Sequence, residues 1–181
     1  APFEMIGNFQ EDVDLAKIIR ENLNRSGQFN AKSTNQSTSG PIDFDFYLKH
    51  KKDAIVFGKI RQISSTINHA DIYIYDVLTQ KPLYVKKLAF TNGALRKTAH
   101  ALSDVIYYAL LGQKGSFNTR LSFVTVNNSK KNGKRIYRLK ISDWDGKNEQ
   151  TIIKSPYPIL SPAWSADQRK IAYVSFKNNR S

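Results

Sequence analysis

The sequence predicts an α/β domain, built on a mixed sheet with two main helices, followed by an all-β segment. Three observations predict it. Apolar residues recur at helical spacing in two places, over 15–23 and over 95–110. Three β-rich runs lie between them in close succession, a spacing that favours antiparallel neighbours. After Gly115 the helical period disappears, and only short β-rich runs broken by turn signals remain. The 181 residues suit one domain, or one plus a piece of another. The domains are placed at 1–113 and 117–181, with the boundary in 112–116.

Phe3 to Gly7 is short, mostly apolar and reads as a strand. Asn8 and Glu11 have the spacing of a capping box. Leu15, Ile18, Ile19 and Leu23 then trace one face of an amphipathic helix, with Arg25 in its last turn and Gly27 as its stop. Phe29 to Ser33 is taken as a short strand and Thr34 to Pro41 as a polar loop. Asp43 to Lys52 forms a short helix carrying Phe44, Tyr47 and Leu48. Strands follow at Ala54–Ile63, at Ile72–Tyr75 leading into Val77, and at Leu83–Phe90, with a turn at Thr79–Pro82. Gly58 marks a bulge or a close packing point. Leu95, Ala99, Leu102, Ile106 and Leu110 step by 4, 3, 4 and 4, which defines the strongest helix. Asn92 is placed as its cap and Gly112 as its end.

In the second segment Leu121–Val126, Ile136–Ser142 and Thr151–Ile153 read as strands. A tip at Asn127–Gly133 joins the first two, and a tight turn at Asp143–Gly146 joins the next two. Leu160–Ser165 and Lys170–Phe176 complete the series.

Composition narrows the function. With 40% hydrophobic and 12% aromatic residues, the chain can build a core. The absence of Cys excludes disulfides, thiolate metal sites and cysteine nucleophiles. The longest apolar run, near Val105–Leu111, is far short of the ~20 residues of a membrane span. His50, His69 and His100 are scattered and none has metal-ligand spacing. No Gly-x-Ser-x-Gly elbow or phosphate loop is present. Asp143 and Asp145 resemble part of a calcium loop that lacks its closing Glu. No catalytic, cofactor-binding or metal residue is therefore assigned.

The net charge is +13, and +9 of it falls in 116–181, where 13 basic residues face 4 acidic ones. Such a tail fits either a nucleic-acid module or solvated lysines on strand edges and hairpin tips. The basic cluster Lys130, Lys131, Lys134 and Arg135 sits at a hairpin tip rather than on a groove-entering helix or an aromatic face, which favours the second account.

The informative stretch is Ser161-Pro-Ala-Trp-Ser-Ala-Asp-Gln-Arg-Lys-Ile-Ala-Tyr-Val-Ser175. It resembles the repeat of WD40-like bacterial β-propellers, S-P-x-W-S-P-D-G-x-x-I-A-[YF]-x-S, and departs from it at Ala166 and Gln168. Its structural members are Pro162, Trp164, Asp167 and Tyr173. Trp164 packs between blades, Asp167 turns the chain, and Ile171, Tyr173 and Ser175 share one strand face. Gln168 occupies a left-handed position where Gly is usual. The linker Gly-Ser-Phe-Asn-Thr-Arg at 115–120, the turn Ser-Asp-Trp-Asp-Gly at 142–146 and the Asn-Arg-Ser-Gly-Gln-Phe end of the first helix occur in the order of the TolB family, which the whole chain resembles.

That resemblance implies an N-terminal α/β domain followed by the first part of a six-bladed propeller, truncated here. It implies a non-enzymatic periplasmic adaptor of the Tol-Pal system, without cofactors, that supports outer-membrane integrity, cell division and protein transport. The implied partners are the lipoprotein Pal, through the propeller, and TolA; colicins exploit the same propeller surface for import. Nucleic acid is not an expected partner. The alternative readings are the accessory propeller of a peptidase and a basic nucleic-acid-binding module. Residues 117–181 amount to about one and a half blades at roughly 40–45 residues each. They supply three outer strands of one blade and two strands of the next, so the chain reads as a piece of a longer protein with exposed strand edges. The loop Ser155–Ser161 lies at one mouth of such a propeller, and Tyr157, Pro158 and Leu160 are its candidate partner-binding residues.

Overall fold

The computed structural model describes residues 3–7, 9, 13–34, 40–128 and 135–177. They fall into two compact units, Ala1–Asn118 and Thr119–Ser181.

The first unit is a four-stranded sheet with helices on both faces. Strands β1 (Phe3–Ile6), β2 (Ala54–Gln62), β3 (Ile67–Asp76) and β4 (Pro82–Thr91) lie in that order across it. β1 runs parallel to β2, and the other pairs are antiparallel, so the sheet is mixed. Alternation along β2 and β3 buries Ile60, Ala70, Ile72 and Ile74 completely on one face. Helices α1 (Leu15–Arg25) and α3 (Leu95–Leu111) pack on each other and cover that face. Their buried residues are those the period picks out: Leu15, Ile18, Ile19 and Leu23 on α1, and Leu95, Ala99, Leu102 and Ile106 on α3. Each buried Leu or Ile among them contributes about 1.5–3 kcal/mol. The short helix α2 (Phe44–Lys49) sits on the other face, where Tyr47 packs with Ile55 and Val77.

Several local expectations change. Asn8 and Glu11 lie outside the described residues, and the α1 cap is Asp14, whose carboxylate accepts the Lys17 N–H at 2.8 Å. Asn92 does not cap α3. Its side chain accepts from Asn68 at 2.8 Å and donates to the Ser65 carbonyl at 2.7 Å, while Ala94 occupies the cap position without a side-chain bond. Phe29–Ser33 is not a strand. Both backbone groups of Ala31 bond the Asn24 side chain, at 2.6 and 3.0 Å, which replaces a ladder. β3 begins five residues early, because Asn68 and His69 pair with β2 and β4 despite their polarity. In α2, Leu48 is exposed and Phe46 takes its place, its ring set edge-on against Tyr47. Gly58 is a close packing point in an unbroken register, not a bulge. Gly27 and Gly112 do end the helices in the left-handed region, at φ 73° and 69°.

Past Gly112 the chain folds back along α3. The Asp104 carboxylate accepts the N–H groups of Phe117 and Asn118 at 2.8 and 3.1 Å. Burial raises this carboxyl above its ordinary value against the pull of those two donors. Phe117 is buried, edge-on to Tyr107.

Among the described residues the second unit is built from five strands. β5 (Arg120–Asn128), β6 (Arg135–Asp143) and β7 (Gln150–Ser155) form one antiparallel sheet, and β8 (Ile159–Trp164) with β9 (Ile171–Ser175) forms another. β8 packs on β5 and β6. Leu139 and Ile159 are the fully buried residues of this core. The division into three strands and then two is the one the blade reading requires. Most of the basic tip, 129–134, lies outside the described residues.

Candidate functional site

The second unit carries every candidate partner-binding and repeat residue named from the sequence. The turn between β8 and β9 is built on Ser165 and Asp167. The Ser165 N–H donates to the Lys170 carbonyl at 2.9 Å, and the Gln168 N–H donates to the Ser165 carbonyl at 2.8 Å. The Ser165 hydroxyl donates to the Asp167 carboxylate at 2.6 Å, which also accepts the Arg169 N–H at 3.1 Å. These bonds, the hydroxyl first, hold the Asp167 carboxyl below its ordinary value. Asp167 is thus committed to shaping the turn.

Gln168 sits at φ 56°, the left-handed position its place in the repeat implied. Gln168→Gly removes a Cβ penalty there and should stabilise the unit by about 0.5–1 kcal/mol. A urea midpoint followed by tryptophan fluorescence, which reads this unit through Trp144 and Trp164, checks it.

Pro162 follows Ser161, itself at φ 48°, where the β8–β9 register shifts between Leu160 and Ala163. A strand accepts proline at such an irregularity because no ladder donor is needed there. Trp164 is half-buried, with the Arg120 guanidinium 4.7 Å from its ring centre. The same guanidinium donates to the Gln168 carbonyl at 3.1 Å. Arg120 therefore fastens β5 to both the Trp164 ring and the following turn. Sequence reasoning missed this residue, since nothing local links positions 44 residues apart. Tyr173, expected on a packed face with Ile171 and Ser175, is more exposed than either.

The connection from β7 to β8 is shorter than the predicted loop and spans only Pro156–Pro158. Its turn is set by the Tyr157 N–H, which donates to Ser155 Oγ at 2.9 Å. Tyr157 is 41% exposed. Pro158 is half-buried, and its carbonyl accepts the Phe176 N–H at 3.1 Å. Leu160 belongs to β8 rather than to the loop, because Ile159 already pairs with Ser175. It is 48% exposed and lies opposite Val174, also exposed. Buried Ile159 anchors the segment between Tyr157 and Leu160. The result is a short turn that leaves Tyr157 and Leu160 exposed to water.

Comparison with known proteins places these features in one family. A family model described as the TolB amino-terminal domain matches residues 1–83, and one described as the TolB beta propeller domain matches 107–181. A curated relative, "Tol-Pal system protein TolB" of Ruthia magnifica subsp. Calyptogena magnifica, is 50% identical over 179 residues, covering 99% of this chain and 42% of the relative. The protein of the same name from Vesicomyosocius okutanii is 48% identical with the same coverage. The crystal structure of TolB from Acinetobacter baumannii superposes with a TM-score of 0.82 at 36% identity, covering 99% of this chain and 45% of that one. The chain therefore spans 42% of the length of these two curated relatives.

Proposed function

The chain belongs to the TolB family of Tol-Pal system proteins, and on that premise we propose that it serves as a non-enzymatic adaptor of the cell envelope, working in the periplasm. Its propeller portion binds the lipoprotein Pal, and the protein as a whole connects to TolA, which supports outer-membrane integrity and cell division. The observation that carries this reading is the succession, in one chain, of an amino-terminal unit and a propeller unit that both match TolB. The residues singled out above support it chemically. Asp167, Ser165 and Arg120 are engaged in holding strands and turns, which leaves them to scaffold rather than react. None of the three helices is long and apolar enough to cross a membrane among the described residues.

Within this proposal Tyr157, Pro158 and Leu160 contribute to the partner surface. Tyr157→Ala in the full-length protein should weaken Pal binding about tenfold, the effect of truncating an aromatic anchor. Titration calorimetry against purified Pal reads it. Unchanged affinity removes Tyr157 from the surface, and no binding by the unmodified protein ends the adaptor reading.

A further inference from the structure

We propose that β4 is a docking edge to which a partner protein adds an extended, acidic segment as a fifth strand. The inference concerns the first unit alone and does not depend on what the propeller binds.

The two edges of this sheet differ. β1 is four residues long, a blunt edge with little ladder to offer. β4 has ten residues, about twice the usual strand, and among the described residues no strand pairs with its outer side. Such an edge presents a row of backbone donors and acceptors, a ready template for another chain. It also carries apolar side chains, with Leu83 46% and Val85 56% exposed. β-Augmentation uses these two features together: backbone bonds give affinity and alternate side chains give specificity.

Charge selects the occupant. From Val77 to Ser103, which spans β4, its preceding turn and the first half of α3, there are five basic residues and no acidic one. Lys81, Lys86 and Lys87 lie on or beside the edge, and all three are exposed. A second copy pairing antiparallel about the middle of β4 would set Lys86 against Lys86 or Lys87 against Lys87, according to its register, and like charges directly opposite are destabilising. An incoming strand with Glu or Asp at alternate positions meets cations instead. α3 packs over β4, and beyond the irregularity at Leu83, where the pairing with β3 shifts, Tyr84–Thr91 keep an unbroken register that supports the edge.

The test uses the 181-residue chain, isotope-labelled, and synthetic octapeptides. One alternates Glu with Val, one alternates Lys with Val, and one is the acidic peptide N-methylated at every second residue. Amide shifts and hydrogen exchange are followed along β4. The acidic peptide is expected to shift and protect β4 amides in a salt-dependent way. N-methylation, which removes the incoming donors without touching the protein, should abolish this. Lys81→Glu with Lys86→Glu should weaken binding about tenfold. The proposal is overturned by equal binding of the Lys–Val peptide, by silence of the β4 amides at millimolar peptide, or by sedimentation showing β4 already occupied by a second copy.

Discussion

Gly58→Ala is expected to destabilise the first unit by about 2–3 kcal/mol, and Gly58→Val by more, because the site has no room for a side chain. Gly58 lies mid-way along β2, opposite Phe3 of β1 and Ile72 of β3. A Cβ there would stand 2.4 Å from the Asp71 carbonyl oxygen and 2.4 Å from the Phe3 ring. The ring can swing aside, at the cost of loosening β1. The carbonyl cannot, since Asp71 sits inside β3 with strands on both sides. Phe3→Leu in the Gly58→Ala background should therefore recover only part of the loss. All three helices belong to the first unit and both tryptophans to the second. Helical circular dichroism and tryptophan fluorescence thus report the two units separately during urea unfolding. The substitution should move the first transition. Equal midpoints for Gly58→Ala and the unmodified chain would show the packing to be looser than described.

Asn22→Leu should cost about 3 kcal/mol through a different mechanism, the loss of a buried donor. Asn22 faces α3 from inside α1 and is fully buried. Its amide donates to Ser103 Oγ at 2.8 Å and lies 2.9 Å from His100 Nδ1. The Ser103 hydroxyl proton already goes to the Ala99 carbonyl at 2.8 Å, so its oxygen accepts from Asn22. The second amide hydrogen then meets His100 Nδ1, which assigns that nitrogen as the acceptor. Leucine fills the volume yet withdraws both hydrogens from two buried acceptors. Ser103→Ala removes a single partner and should cost about 1 kcal/mol. Helical circular dichroism measures both; a Leu variant no less stable than the Ala variant would contradict the assignment.

The first unit was legible where chemistry is local and periodic. The faces of α1 and α3 follow from spacing alone, and so do the left-handed stops at Gly27 and Gly112. Errors arose where a polar side chain could serve two purposes. Asn92 suits a helix cap but spends its amide on Asn68 and Ser65, and Asn24 turns an apparent strand into a bracketed loop. Composition cannot show which use wins, since the competing partners lie seven to twenty-seven residues away. In the second unit the turn at Asp167 and the left-handed position of Gln168 follow from the repeat, and both are present. Arg120 was not, because its role depends on a ring and a carbonyl brought near only by folding. Leu160 reads both as the start of a strand and as part of a loop over 155–161; the strand reading holds, since pairing with β9 begins at Ile159 and the loop shrinks to 156–158.

The mooring of 117–118 on Asp104 has a mechanical consequence. Tension carried along the chain across Asn118 and Thr119 reaches α3 first through the Asp104 side chain, and Phe117 must leave its pocket before 112–116 can take up load. Gly115 lets this segment lie so close that a Cβ would stand 2.4 Å from the same carboxylate. The first unit is therefore gripped by the side of a helix and not by its last turn. A pull should meet a short, stiff clasp rather than a slack tether.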